Sequence, residues 1–159
     1  MLAAEFRILT VIVTKLAKHD IEQRLTAYGA NISELQFGVM RLLHREGSTI
    51  QELSSKMMLS PATLVPVVDA LERHGLAKRG RDPNDRRRAP LSLTEKGVQL
   101  IAGLPYINVD DRLFQTLQQM GEEKSQHLLA LMRELVAGMS GNDTLVANIA
   151  AEVRSQMQS

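Results

Sequence analysis

One segment of this chain breaks an otherwise helical pattern. After Gly75 the stretch Leu76 to Gly80 can extend as a strand, Asp82-Pro83-Asn84-Asp85 is strong turn chemistry, and Ala89 to Leu93 can return as a partner strand. Thr94 then caps a new helix beginning at Glu95. The expected fold is therefore mainly α, with a single β-hairpin set between helices. The hairpin is also where the charge lies: residues 78–88 hold six cations (Lys78, Arg79, Arg81, Arg86, Arg87 and Arg88) against Asp82 and Asp85, a local +4 in a chain whose net charge is +1. The remainder nets roughly −3, so a uniformly basic surface is excluded and a basic projection with a defined task is expected.

Two short helices precede the hairpin. Thr49 and Glu52 form a capping box that opens one of them, with Ile50, Leu53 and Met57 on one face. The turn Met58-Leu59-Ser60 follows. Ser60 caps the second, Pro61 takes the first helical position, where its missing N–H costs nothing, and Leu64, Val67, Val68 and Leu71 supply its apolar stripe up to Gly75. Two short helices joined by a tight turn make a helix-turn-helix.

The flanks are helical as well. Phe6, Leu9, Val13, Leu16, Ile21 and Leu25 mark a long first helix from Ala3 to about Tyr28, stopped by Gly29. Ser33 and Gln36 form another capping box, and Leu35, Val39, Leu42 and Leu43 give the second helix a buried face ending near Gly47. Beyond the hairpin, Pro105 should interrupt the helix that starts at Glu95, and Asp110 or Asp111 should restart it. Leu113 and Leu117, then Leu128, Leu131, Leu135 and Val136 after Gly121, continue helically, with a last amphipathic piece from Thr144 to about Met157.

Composition removes several functions. With 159 residues the chain has one domain's worth of core, and without cysteine it has no disulfide, thiolate metal site or thiol switch. His19, His44, His74 and His127 lack metal-ligand spacing, and no nucleophile elbow, phosphate-binding glycine loop or supported carboxylate pair is present. Neither a metal, another cofactor nor an enzymatic activity is expected. The apolar run Ile8 to Val13 is flanked by Glu5, Arg7 and Lys15 and is a poor signal peptide, and no run reaches the ~18 apolar residues of a membrane span. A cytoplasmic protein without membrane contact is the expectation.

Taken together, Ile50-x-x-Leu53, Leu59-Ser60, Thr63, Val68-Asp69, Leu71-Glu72-x-x-Gly75-Leu76-x-x-Arg79, Asp85-x-Arg87 and Leu93-Thr94-x-x-Gly97 resemble the MarR family of winged helix-turn-helix transcriptional regulators. The resemblance covers roughly Ile32 to Gly97. It implies a homodimer bound to a pseudo-palindromic site in double-stranded DNA, with one recognition helix per subunit in a major groove and one wing in the adjacent minor groove. Residues 1–30 and 99–159 would build the dimer, and residues 31–98 the DNA-binding lobe, with the wing at about 77–93. Repression by promoter occlusion is the expected mode.

The carried-over DNA contacts are Ser60, Pro61, Ala62, Thr63, Val65 and Pro66 on the recognition helix and Arg79, Asp85, Arg86, Arg87 and Arg88 on the wing. Small residues at a helix start approach base edges closely, and the free N–H groups there suit a phosphate. Asp85 can orient Arg87 into a narrow, electronegative minor groove, leaving Arg79, Arg86 and Arg88 for phosphates. Asp69 and Glu72 are expected to be structural, Asp69 pairing with Arg79 or Arg73 and Glu72 serving simply as an exposed helical acid. The family also implies release by a small aromatic, anionic effector, for which Tyr28, Phe37, Met40, Arg41 and Met58 are the candidate pocket, although periodicity explains most of them as ordinary core.

Two features depart from the family. Val65-Pro66 stands where many relatives carry a polar or basic residue, and a proline inside a helix costs on the order of 3 kcal/mol unless context offsets it. Gly103 and Pro105 fall in the helix after the wing, which is normally long. The competing reading is a winged-helix adaptor that binds a protein partner and no specific DNA; Val65 and Pro66 favour it, and Arg86-Arg87-Arg88 oppose it.

Overall fold

The computed structural model describes residues 1–80, 90–104 and 111–157. Its elements, in chain order, are α1 (Leu2–Ala27), α2 (Glu34–Arg45), α3 (Ile50–Met57), α4 (Pro61–Arg73), β1 (Ala77–Arg79), β2 (Leu91–Leu93), α5 (Glu95–Ala102), α6 (Arg112–Met120), α7 (Glu122–Ser140) and α8 (Asp143–Met157). They fall into two compact units, Met1–Pro105 and Tyr106–Ser159.

Local caps set most of the boundaries in the first unit. Ser33 accepts from the Gln36 N–H at 3.2 Å while the Gln36 side chain accepts from the Ser33 N–H at 2.8 Å, and Thr49 and Glu52 repeat the exchange at 3.2 and 2.7 Å. The Thr94 hydroxyl accepts from the Gly97 N–H at 3.1 Å and donates to the Gly75 carbonyl at 2.6 Å, so it caps α5 and fastens it to the end of α4. The Lys96 ammonium adds a bond to the His74 carbonyl at 3.0 Å. Gly97 is required here by contact: a Cβ at that position would lie 2.1 Å from the Leu76 carbonyl oxygen.

The core of this unit joins Phe37, Val39, Met40 and Leu43 of α2 to Leu53, Leu64, Val68 and Leu71 of the helix-turn-helix, with Leu76, Ala77, Leu91 and Leu93 from the hairpin, Ile101 and Leu104 at the end of α5, and Leu25 of α1. The face of α2 differs from the sequence expectation. Phe37 and Met40 take the interior with Val39 and Leu43, while Leu35 and Leu42 are only half-buried.

In the hairpin, Ala77 pairs with Leu93, Lys78 with Ser92 and Arg79 with Leu91, antiparallel. Ser48, in the link between α2 and α3, adds a third edge. Its N–H donates to the Leu91 carbonyl at 3.1 Å and its carbonyl accepts from the Leu91 N–H at 2.9 Å. The hairpin is thus tied to the front of the helix-turn-helix as well as to its end.

α5 is short, ending at Ala102, and Pro105 with its neighbours to Asp110 lies outside the described residues. In the second unit, Asp111 caps α6 by accepting from the Leu113 and Phe114 N–H groups at 2.9 and 3.2 Å. Gly121, at φ +84°, separates α6 from α7, a backbone conformation that side chains resist. Neither α6 nor α7 holds a buried residue.

Candidate nucleic-acid interface

The turn between α3 and α4 is held by short-range bonds. Met58 closes α3 in the left-handed conformation, φ 53°, and its N–H reaches the carbonyls of Ser54 and Ser55. The Leu59 N–H donates to the Ser54 carbonyl at 3.1 Å, and the Ser54 hydroxyl donates to the Leu59 carbonyl. Glu46, just past α2, and Lys56 of α3 pair at 2.5 Å, and that hydrogen bond together with the ammonium charge holds the Glu46 carboxyl below its ordinary range. Local bonds thus define the turn from α3 to α4, and the ion pair ties α3 back to the end of α2.

α4 begins with a doubly used hydroxyl. Ser60 Oγ accepts from the Thr63 N–H at 3.2 Å and shares a hydrogen bond with the Thr63 hydroxyl at 2.8 Å, with Pro61 at the first helical position. Leu64, Val68 and Leu71 are completely buried and lock the helix to the core. Pro61, Ala62, Thr63, Val65 and Pro66 are all exposed. Despite Pro66, α4 runs as one helix from Pro61 to Arg73. The proline ring removes the bond that residue 66 would donate to the Ala62 carbonyl. Both residues are exposed, so water can serve that carbonyl, which lowers the cost that the same loss would carry inside a core.

The hairpin is clamped to this helix. The Arg79 guanidinium meets Asp69 at 2.7 Å and also Glu72, and the Arg79 backbone N–H donates to Glu72 at 3.0 Å. Asp69 has one of its two expected partners. Glu72 corrects the sequence reading: its carboxylate is about three-quarters buried and binds Arg79 twice, because the hairpin folds back over the end of α4. Arg79 is accordingly a strut between α4 and the hairpin. Asp85, Arg86, Arg87 and Arg88 lie outside the described residues.

The candidate effector residues are divided between interior and surface. Phe37 and Met40 belong to the core, Arg41 is half-buried on the same helix, Met58 is 71% exposed at the turn, and Tyr28 is half exposed with its hydroxyl against Gly103. Gly103 is needed for that approach, since a Cβ there would overlap the Tyr28 hydroxyl at 1.7 Å. Among the described residues no three His, Cys, Asp or Glu side chains are grouped to hold a metal, and no helix is long and apolar enough to cross a membrane.

Comparison with known proteins agrees with this geometry. The sequence profile of the MarR family matches residues 32–89, the stretch that carries the helix-turn-helix. The chain is 31% identical over 113 residues to the uncharacterized HTH-type transcriptional regulator YhbI of Bacillus subtilis, covering 69% of this chain and 73% of that protein. It is 33% identical over 107 residues to the HTH-type transcriptional regulator FarR of Neisseria gonorrhoeae, covering 67% and 73%. In fold it is similar to S. aureus MepR in its complex with DNA, with a TM-score of 0.74 at 23% identity over 84% of this chain and 97% of that one. The caps, the clamped hairpin and these relatives agree: this chain belongs to the MarR family of winged-helix transcriptional regulators.

Proposed function

We propose that the chain represses transcription as a homodimer that occupies a pseudo-palindromic site in duplex DNA, in the compartment that holds the chromosome. The observation that carries this reading is the union of α4 and the hairpin through Arg79, Asp69 and Glu72. A helix with an exposed N-terminal edge, rigidly coupled to a hairpin whose sequence continues into Arg86-Arg87-Arg88, presents two elements that can enter adjacent grooves together. The N-terminal half of α1 supports the dimer: Leu9, Val13 and Leu16 are each more than half exposed in the single chain, a surface that a second copy would bury. Two recognition helices related by a two-fold axis would address half-sites about 34 Å apart. Binding of a small aromatic anion would supply the release signal, with Tyr28, Arg41 and Met58 the candidates for contact that are not wholly consigned to the core.

Selection of sites from a random duplex pool, followed by titration of the winner at two salt concentrations, tests the reading. An enriched inverted repeat with steep salt dependence is expected, because each neutralised phosphate releases counterions. Weak binding with no enriched sequence would instead favour the adaptor, for which exposed Val65 and Pro66 would form part of a protein-docking surface.

A further inference from the structure

We propose that the recognition helix selects its half-site through thymine methyl groups and makes no paired hydrogen bonds to guanine. This rests on the DNA-binding reading above and adds to it the base chemistry that α4 selects. Over its first two turns α4 exposes Pro61, Ala62, Thr63, Val65 and Pro66. None carries an amide or a guanidinium, the groups that bond in pairs to adenine or guanine in the major groove. The hydroxyls of Ser60 and Thr63 are already bonded to each other at 2.8 Å, and Ser60 Oγ also accepts the Thr63 N–H. Their remaining donor capacity, at a helix start, suits a phosphate better than a base pair code.

What is left outward is aliphatic. Ala62, Val65 and Pro66 lie three and four residues apart and share one face, with Val65 40% exposed. The same face continues through Asp69 and Arg73. Asp69 is acidic and held by Arg79. Arg73 is exposed but sits about 16 Å along the axis from Ala62, beyond the N-terminal residues that meet base edges when such a helix docks. In the major groove the only apolar group is the C5 methyl of thymine, and an aliphatic edge fits it without leaving a buried polar group unpaired. Pro66 has a place in this account: its ring broadens the apolar edge, while the Ala62 carbonyl that it leaves without a helical bond stays with water.

The test uses the site selected from random DNA and the full-length protein. Each thymine of a half-site is replaced in turn by deoxyuridine, which removes only the methyl, and each guanine by 7-deazaguanine, which removes the N7 acceptor. Binding is measured for the wild type, Val65→Ala and Pro66→Ala. The expected result is roughly fourfold weaker binding at one or two thymines per half-site, the effect of losing one buried methyl-sized group, with that loss shrinking in one or both variants. Insensitivity to deoxyuridine, or a deoxyuridine loss equal in all three proteins, would overturn the methyl assignment while leaving the DNA-binding reading intact. Strong sensitivity to 7-deazaguanine that persists when Arg87 is changed to Ala would do the same. Failure to enrich any site would overturn both together.

Discussion

Leu53, Leu64 and Leu71 are sealed completely inside the helix-turn-helix lobe, whereas Leu9, Val13 and Leu16 of α1, side chains of the same chemistry, stand more than half exposed. α1 contains the contrast within one helix: its C-terminal end supplies Leu25 to the core, and its N-terminal half has an apolar surface open to water. α7 repeats the exposure, with Leu128 and Leu131 about 41% and 50% exposed and no residue buried. The lobe closes its core with α2, α3, α4, the hairpin, α5 and the C-terminal end of α1. The N-terminal half of α1 and part of α7 instead leave apolar side chains in contact with water. If the proposed dimer forms on that exposed surface, stability and assembly depend on different parts of the chain, and substitutions should separate them.

The largest expected effect is on the lobe. Leu64→Ala should cost 2–5 kcal/mol of folding stability, about the range for a fully buried leucine, read by chemical denaturation, whereas Leu9→Ala should cost under about 1 kcal/mol at concentrations where the protein is monomeric and weaken self-association instead. Equal losses from the two substitutions would erase the distinction between closed lobe and open helix. Gly97→Ala should come next, at roughly 2 kcal/mol or more, because its Cβ would enter the Leu76 carbonyl and force α5 from the hairpin. A thermal melt unchanged from wild type would show that α5 docks differently.

Smaller effects should fall on binding, with the fold intact. Arg87→Ala should weaken specific DNA binding by about 1–3 kcal/mol if the arginine enters the minor groove. Arg79→Ala, which removes the strut from Asp69 and Glu72 without removing a wing-tip cation, should cost about tenfold in affinity, near 1.4 kcal/mol. Restoration by Arg79→Lys would argue against the paired geometry, since a single ammonium cannot reproduce the guanidinium fork. The smallest effect concerns pH. Because Lys56 holds the Glu46 carboxyl below its ordinary 4.5, the pair stabilises the folded chain above that pH and the contribution fades as pH falls through the lowered value. Both groups are exposed, so the melting-temperature difference between wild type and Glu46→Gln should be slight at neutral pH and shrink further as the carboxylate is protonated in acid; a difference that grew on acidification would contradict the assignment.

What could be read from sequence was what the chain settles locally. The Ser33–Gln36 and Thr49–Glu52 capping boxes, the Ser60 cap before Pro61 and the Thr94 cap all depend on residues three or four apart, and each is present as read. Contacts closed across long sequence separations were less accessible. Ser48 pairs with Leu91 through backbone groups alone, which leave no signature in residue type. The expectation of an exposed acid misses the bonds of Glu72, because the hairpin that covers it returns from seven residues further along the chain. On α2 periodicity allows Phe37 and Met40 as core residues, but it does not show that Leu35 and Leu42 stay only half-buried. Pro66 marks the opposite lesson: its intrinsic helix penalty is real, but burial of Leu64, Val68 and Leu71 on the far side holds α4 in one piece.

The central claim is a two-fold assembly that presents two α4 edges to one duplex. Its most direct test is a stoichiometric titration of the selected inverted repeat, with the mass of the complex measured by sedimentation. The account predicts two chains per duplex, and loss of that complex when one half-site is scrambled. One chain per duplex, or a complex indifferent to the second half-site, would contradict it.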